Sequence, residues 1–263
     1  MTTLSYAVAD SATMLRRNLK RYLRYPSMTL MIVAVPVIFL LLFVYVFGDA
    51  LGAGLGHLGG RAAYLRYVTP GIVLLTLGTA ATSTAVSVAM DMSSGIIARF
   101  RTMAIARVSV LTGHVLGSVI QSLLGIACVL GVAVAMGLRI SAAPPAWLAA
   151  IGIVVLITFA FTWLSVALGL VSGSAETASN LPMFLMLLPF LGSGFVPTHT
   201  MPVGLRWFAE YQPFTPVIQT VRGLLVGGPI GNNALMAVAW GVGIALLSYL
   251  WARRLYRRPM QAK

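Results

Sequence analysis

Met28-Thr-Leu-Met-Ile-Val-Ala-Val-Pro-Val-Ile-Phe-Leu-Leu-Leu-Phe-Val-Tyr-Val-Phe47 runs for twenty residues without one ionisable side chain. Wound as an α-helix, such a run covers about 30 Å, the thickness of the hydrocarbon core of a bilayer. Five further apolar stretches follow, at residues 70–90, 111–136, 146–171, 181–196 and 233–251. The expected fold class is therefore an all-α polytopic membrane protein with six transmembrane helices. Residues 28–252 make one transmembrane domain, after an N-terminal arm over 1–27 and before a tail over 253–263. The first run is too long for the apolar part of a signal peptide and lacks a small-residue cleavage site, so it is expected to remain in the mature protein.

Composition supports this reading. Hydrophobic residues make up 59% of the 263 and charged residues only 9%, against about 25% charged in soluble proteins. The single cysteine, Cys128, falls inside the third span, which excludes an internal disulfide and any multi-cysteine metal site.

The cations divide by side. Arg16, Arg17, Lys20, Arg21, Arg24, Arg99, Arg101, Arg107, Arg253, Arg254, Arg257, Arg258 and Lys263 flank one set of span ends. Arg61, Arg66, Arg139, Arg206 and Arg222 flank the other. Lys and Arg are retained on the cytoplasmic face, so thirteen against five predicts both termini in the cytoplasm, with the chain in the inner (plasma) membrane. The net charge of +13 is then a topology signal and an attraction to anionic headgroups. Nucleic acid is not an expected partner, because no soluble basic face exists for it.

Within the arm, Val8, Ala12, Leu15, Leu19, Tyr22 and Leu23 recur at three- and four-residue spacing, with the five cations between them. That is the pattern of an amphipathic helix lying in the membrane interface, as an anchor or as a lipid-binding element. Pro26 is expected to end it.

The chain carries five acids, Asp10, Asp49, Asp91, Glu176 and Glu210, none in the middle of a proposed span. Ion-coupled carriers place such groups within the membrane; here the one candidate is His114, near a span end. The only lysines, Lys20 and Lys263, do not follow glycine, so no phosphate-binding loop is present. No triad or carboxylate pair is readable either, so neither catalytic nor metal-ligating residues are expected. If the protein pumps, a partner must consume the fuel.

Between the second and third spans the chain reads Asp91-Met-Ser-Ser-Gly-Ile-Ile-Ala-Arg-Phe-Arg-Thr-Met-Ala-Ile-Ala-Arg107. Ile96, Phe100 and Met103 share one helical face beside Arg99 and Arg101, which suits either a protein groove or a lipid surface. Arg99 to Arg107, followed by Gly113-His-Val-Leu-Gly117, resembles the cytoplasmic loop of ABC type-2 permeases, the membrane subunits of ATP-driven exporters. Pro36 to Gly48, Ser193-Gly-Phe-Val-Pro197, Met201 to Pro213 and Val221-Arg-Gly-Leu-Leu225 resemble the daunorubicin/doxorubicin-resistance branch of that family. One departure is Ala104, where relatives carry proline after the arginine-rich run.

The resemblance implies a permease subunit that exports an amphipathic molecule such as a drug, polyketide or lipid. It implies a homodimer docked on ATP-binding subunits that hold ATP and Mg, with no cofactor on this chain. Arg99, Phe100, Arg101 and Arg107 are the expected ATPase contacts, together with Glu176. By the same resemblance, residues 197–232 form a re-entrant helical hairpin, an outer lid carrying Phe208, Glu210 and Arg222; the last two are a candidate pair. Met183, Phe184, Met186 and Phe190 would suit a flexible apolar, substrate-facing surface. Gly48, Gly52, Gly56 and Gly60 read as a mobile loop, and Gly113 and Gly117 as a helix-packing seat. The competing readings are an exporter of lipid-linked polysaccharide and, from another class, an autonomous channel or structural membrane protein.

Overall fold

The computed structural model describes residues 3–24, 26–55, 60–94 and 107–257. Among them every regular element is helical. In chain order these are α1 (Thr3–Arg24), α2 (Pro26–Leu41) with a π-helical continuation over Leu42–Val46, α3 (Gly48–Ala53), α4 (Arg61–Ser93), α5 (Arg107–Ala135) and α6 (Pro144–Val171). Then follow α7 (Ala175–Asn180), α8 (Met183–Leu187), α9 (Val203–Tyr211), α10 (Phe214–Val226) and α11 (Asn233–Arg257). Five segments, Thr29–Val46, Arg61–Ser93, Leu111–Ala135, Pro144–Val171 and Asn233–Tyr256, are long and apolar enough to cross a membrane. The chain is an all-α polytopic membrane protein.

The fifth expected span is not one helix. Over residues 181–196 the chain forms α8 and then a run of turns, in keeping with Pro182, Pro189, Gly192 and Gly194. Each proline removes a backbone donor, and each glycine weakens helical continuity. A hydropathy window registers only that the stretch is greasy.

Helix α4 is the hub. Its apolar window is 78% buried, against 22% for α2 and 17% for α11, so the other elements are arranged around it. Small residues make this possible, because they let backbones approach closely. A Cβ at Gly71 would fall 2.6 Å from the Gly194 carbonyl oxygen, and one at Gly78 would fall 2.8 Å from Met186 Cα. From the facing side, a Cβ at Gly169 would meet the Ala85 carbonyl oxygen at 2.6 Å. The helix also starts nine residues before the expected boundary and carries Pro70 in its interior. An internal proline costs about 3 kcal/mol in a helix; here it is offset by burial on every side, with Thr69, Pro70 and Gly71 all in the core.

Polar groups inside the bundle are satisfied locally, as a medium without water requires. Thr69, Thr76 and Thr84 of α4, Thr158, Thr162 and Ser165 of α6, and Ser172 just after α6 each donate to the carbonyl four residues back. At one end of the bundle Val88, Leu111, Val115, Trp163, Val166, Ala252 and Tyr256 pack together. This is the arginine-rich end. At the other, Leu40, Val44, Tyr64, Val68, Val129, Ala133 and Phe195 form a second cluster. Within the glycine-rich stretch after α2, α3 packs on α4, and Gly52 meets the backbone of Gly60; Gly56 lies outside the described residues.

Replacing Gly71 with alanine should lower thermal stability, because overpacking a tight backbone contact costs about 1–3 kcal/mol. Gly152→Ala, with nothing within 4 Å of the new Cβ, should leave the melting temperature of the solubilised protein unchanged.

Candidate functional site: an ionic clasp beside an apolar groove

The carboxylate of Asp91, in the last turn of α4, is met by three side chains from two other helices. Arg17 of α1 donates to Oδ2, and Arg21 Nη1 reaches Oδ1 at 3.3 Å while also donating to Ser87 Oγ at 2.9 Å. From α5, His114 Nε2 lies 3.1 Å from Oδ2. Because the carboxylate can only accept, that ring nitrogen must carry the proton. Asp91 is 5% exposed and His114 1%, so the cluster sits largely out of water, where an unpaired charge is costly.

Packing explains how α1 arrives there. Gly113 and Gly117 open a seat on α5; a Cβ at Gly113 would collide with Met14, and one at Gly117 would lie 3.1 Å from Asn18 Cβ. The glycine pair read from the sequence as a packing seat therefore receives α1. Tyr22 and Ser118 share a 3.3 Å hydrogen bond, and Gln121 donates to Thr29 of α2 at 2.9 Å. Burial pushes the Tyr22 phenol above the usual tyrosine range, so it stays protonated.

The arrangement has a mechanical meaning. Asp91 and His114 stand on either side of residues 95–106, the segment in which the sequence places the partner contacts. Those two stems are bonded to each other, and α1 is bonded to both.

Of the expected partner contacts, Arg99, Phe100 and Arg101 lie outside the described residues, and Arg107 is described only as the start of α5. Glu176 is exposed in the first turn of α7, which Ser174 caps by accepting from the Thr177 amide at 3.1 Å. Ala178 of α7 packs on Ala85 and Ala89 of α4, so Glu176 belongs to the same end of the bundle as the clasp.

The four expected substrate-facing residues separate. Met183 and Phe184 are about half exposed, at 57% and 51%. Met186 lines a groove between α2 and α4, together with Ser27, Met31, Ile32, Val35, Thr79, Thr82, Ser83 and Val86, with a volume of about 440 Å³. Phe190 turns inward, stacked on Phe195 with centroids 4.2 Å apart and in contact with Phe39 and Phe43.

At the far end, α9 and α10 lie where the hairpin was expected. Arg222 and Glu210 are not bonded to each other. Arg222 donates to the carbonyls of Tyr67 at 2.9 Å and Ser193 at 2.7 Å, and its guanidinium covers the Tyr67 ring at 3.7 Å. Such a stacked cation contributes up to about 2 kcal/mol when desolvated. Glu210 accepts from Thr198 at 3.4 Å, and Phe208 is exposed. Sequence reasoning missed these bonds because Arg222 binds backbone carbonyls, which no residue identity announces. It missed the clasp for another reason: the arm's cations and Asp91 were visible, but partners about seventy residues apart leave no local spacing.

The comparisons with known proteins fit this architecture. The profile of the family described as ABC-2 type transporter matches residues 11–226. The chain is 29% identical over 244 residues to the daunorubicin resistance ABC transporter permease protein DrrB1 of Streptomyces coeruleorubidus, covering 91% of this chain and 80% of that protein. It is 23% identical over 251 residues to the probable doxorubicin resistance ABC transporter permease protein DrrC of Mycobacterium tuberculosis, covering 95% and 89%.

Asp91→Ala should leave Arg17, Arg21 and His114 without their shared anion. Given the partial exposure of the two arginines, the expected cost is about 1–3 kcal/mol, below that of a fully buried pair. Hydrogen exchange across residues 3–24 should rise several-fold, while α6 amides stay protected.

Proposed function

Because the chain belongs to the ABC-2 type transporter family and is the membrane permease subunit of an ABC exporter, we propose that it moves an amphipathic molecule outward on energy supplied by a separate ATP-binding subunit. The match over residues 11–226, which takes in both stems of the 95–106 segment, carries this reading. The named resistance of the relatives to daunorubicin and doxorubicin supports a drug, polyketide or lipid as cargo.

On this reading ATP and Mg belong to the partner, and this chain catalyses no hydrolysis. The partner docks on the 91–107 loop through Arg99, Phe100, Arg101 and Arg107, and on the N-terminal interfacial helix, with Glu176 beside them. Both termini face the cytoplasm, in the inner membrane, as the thirteen-to-five division of cations supports. Residues 1–27 then lie along the cytoplasmic interface, residues 28–252 form the transmembrane domain, and α9 with α10 makes an outer lid held by Arg222. Closure of the ATP-binding pair pulls on the 95–106 segment, and the clasp passes that motion to α1, α4 and α5.

The permease works as a homodimer. Its substrate path lies beside α2, α4 and α8, where Met183, Phe184 and Met186 offer deformable apolar contacts and the groove hydroxyls offer polar ones. An amphipathic cargo needs both.

The test is reconstitution of the permease with its ATP-binding subunit in proteoliposomes. ATP-dependent accumulation of an anthracycline or a labelled lipid is expected, and accumulation by the permease alone would overturn the reading. Arg101→Glu should lower co-purification of the ATP-binding subunit by an order of magnitude or more while leaving the permease folded by thermal melting. Unchanged recovery would remove Arg101 from the contact.

A further inference from the structure

The groove between α2 and α4 is not uniformly greasy, and its polarity has a direction. Met31, Val35 and Met186 supply apolar walls, while Thr82 and Ser83 lie along the α4 side. Ser83 and Val86 stand four residues before Ser87 and Met90, which lie one helical turn or about 5.4 Å nearer the arginine-rich end on the same face. Arg21 sits on that next turn, 2.9 Å from Ser87 Oγ and 3.9 Å from Met90 Sδ. Arg24, exposed, precedes the groove residue Ser27 by three positions. The groove therefore runs from an apolar floor past hydroxyls to a cationic mouth.

The sum of charge at that mouth is positive: α1 carries Arg16, Arg17, Lys20, Arg21 and Arg24 against Asp10, and Asp91 adds one further acid.

We infer that this groove binds an anionic phospholipid of the cytoplasmic leaflet, with an acyl chain along Met31, Val35 and Met186 and the phosphate at Arg21 and Arg24. The orientation rests on the exporter reading above. Ser83 stands at the depth of the ester groups, where its hydroxyl has acceptors to meet, while Thr82 donates to the Gly78 carbonyl at 3.3 Å and presents its oxygen and methyl group. The volume of about 440 Å³ falls within the roughly 300–1,000 Å³ of ligand sites.

The experiment uses the permease together with its ATP-binding subunit, stripped of native lipid in detergent and offered phosphatidylglycerol and phosphatidylcholine of identical chains. Native mass spectrometry reads the lipid retained. Each arginine near an anionic headgroup contributes about 1 kcal/mol, so phosphatidylglycerol should be retained about five-fold or more over phosphatidylcholine. Arg24→Gln should lower that ratio, and Arg21→Gln with Arg24→Gln should bring it near unity while phosphatidylcholine is still held. Ser83→Phe, which fills the groove, should lose both lipids, and Leu124→Phe on the exposed face of α5 should lose neither. Equal retention of the two lipids by the unaltered protein, or unchanged phosphatidylglycerol in Ser83→Phe, would overturn the inference. Binding is read without ATP. A complex that transports but shows no headgroup preference sinks only the lipid site, and one that binds selectively but never transports sinks only the exporter reading.

Discussion

One carboxylate organises the arginine-rich end of this protein. Asp91 gathers two arginines from α1 and a histidine from α5 onto the last turn of α4. α1 is also seated by shape, on Gly113 and Gly117, and by the Tyr22–Ser118 hydrogen bond, and it carries a cost there: the side-chain amide of buried Asn18 has no partner. An unsatisfied buried amide disfavours docking by about 1–3 kcal/mol, so the grip of α1 depends on Asp91 more than its length suggests.

The far end is held differently. Arg222 has no carboxylate; it is neutralised by carbonyl dipoles and an aromatic face, and it joins α10 to α4 and to the turns after α8. Glycine against glycine, at Gly71 and Gly194, brings the same segments into backbone contact. One end of the bundle thus depends on ionic bonds that can exchange partners, and the other on contacts that cannot.

This contrast also explains what could be read from the chain by itself. Residues 28–47 and 146–171 announced their helices because bilayer thickness imposes a length that few other structures share. α1 was legible through its three- and four-residue spacing. Pro70 misplaced the start of α4, since a proline reads as a boundary until burial overrides it. Residues 181–196 read as a span because apolarity was counted and the prolines and glycines were not. Asp91 was visible as a residue but not as a hub: bonds from Arg17 to Asp91 and from His114 back to it depend on how the helices pack, which sequence distance does not encode.

The close approach of Gly71 to Gly194 has a consequence for any movement of the bundle. Two backbones already touching have no side chain to swing aside and no void to compress, so this point behaves as a fulcrum. Helices levered about it travel least there and farthest at the remote tip of α4, so a small rotation would appear as a wide stroke some thirty ångströms away.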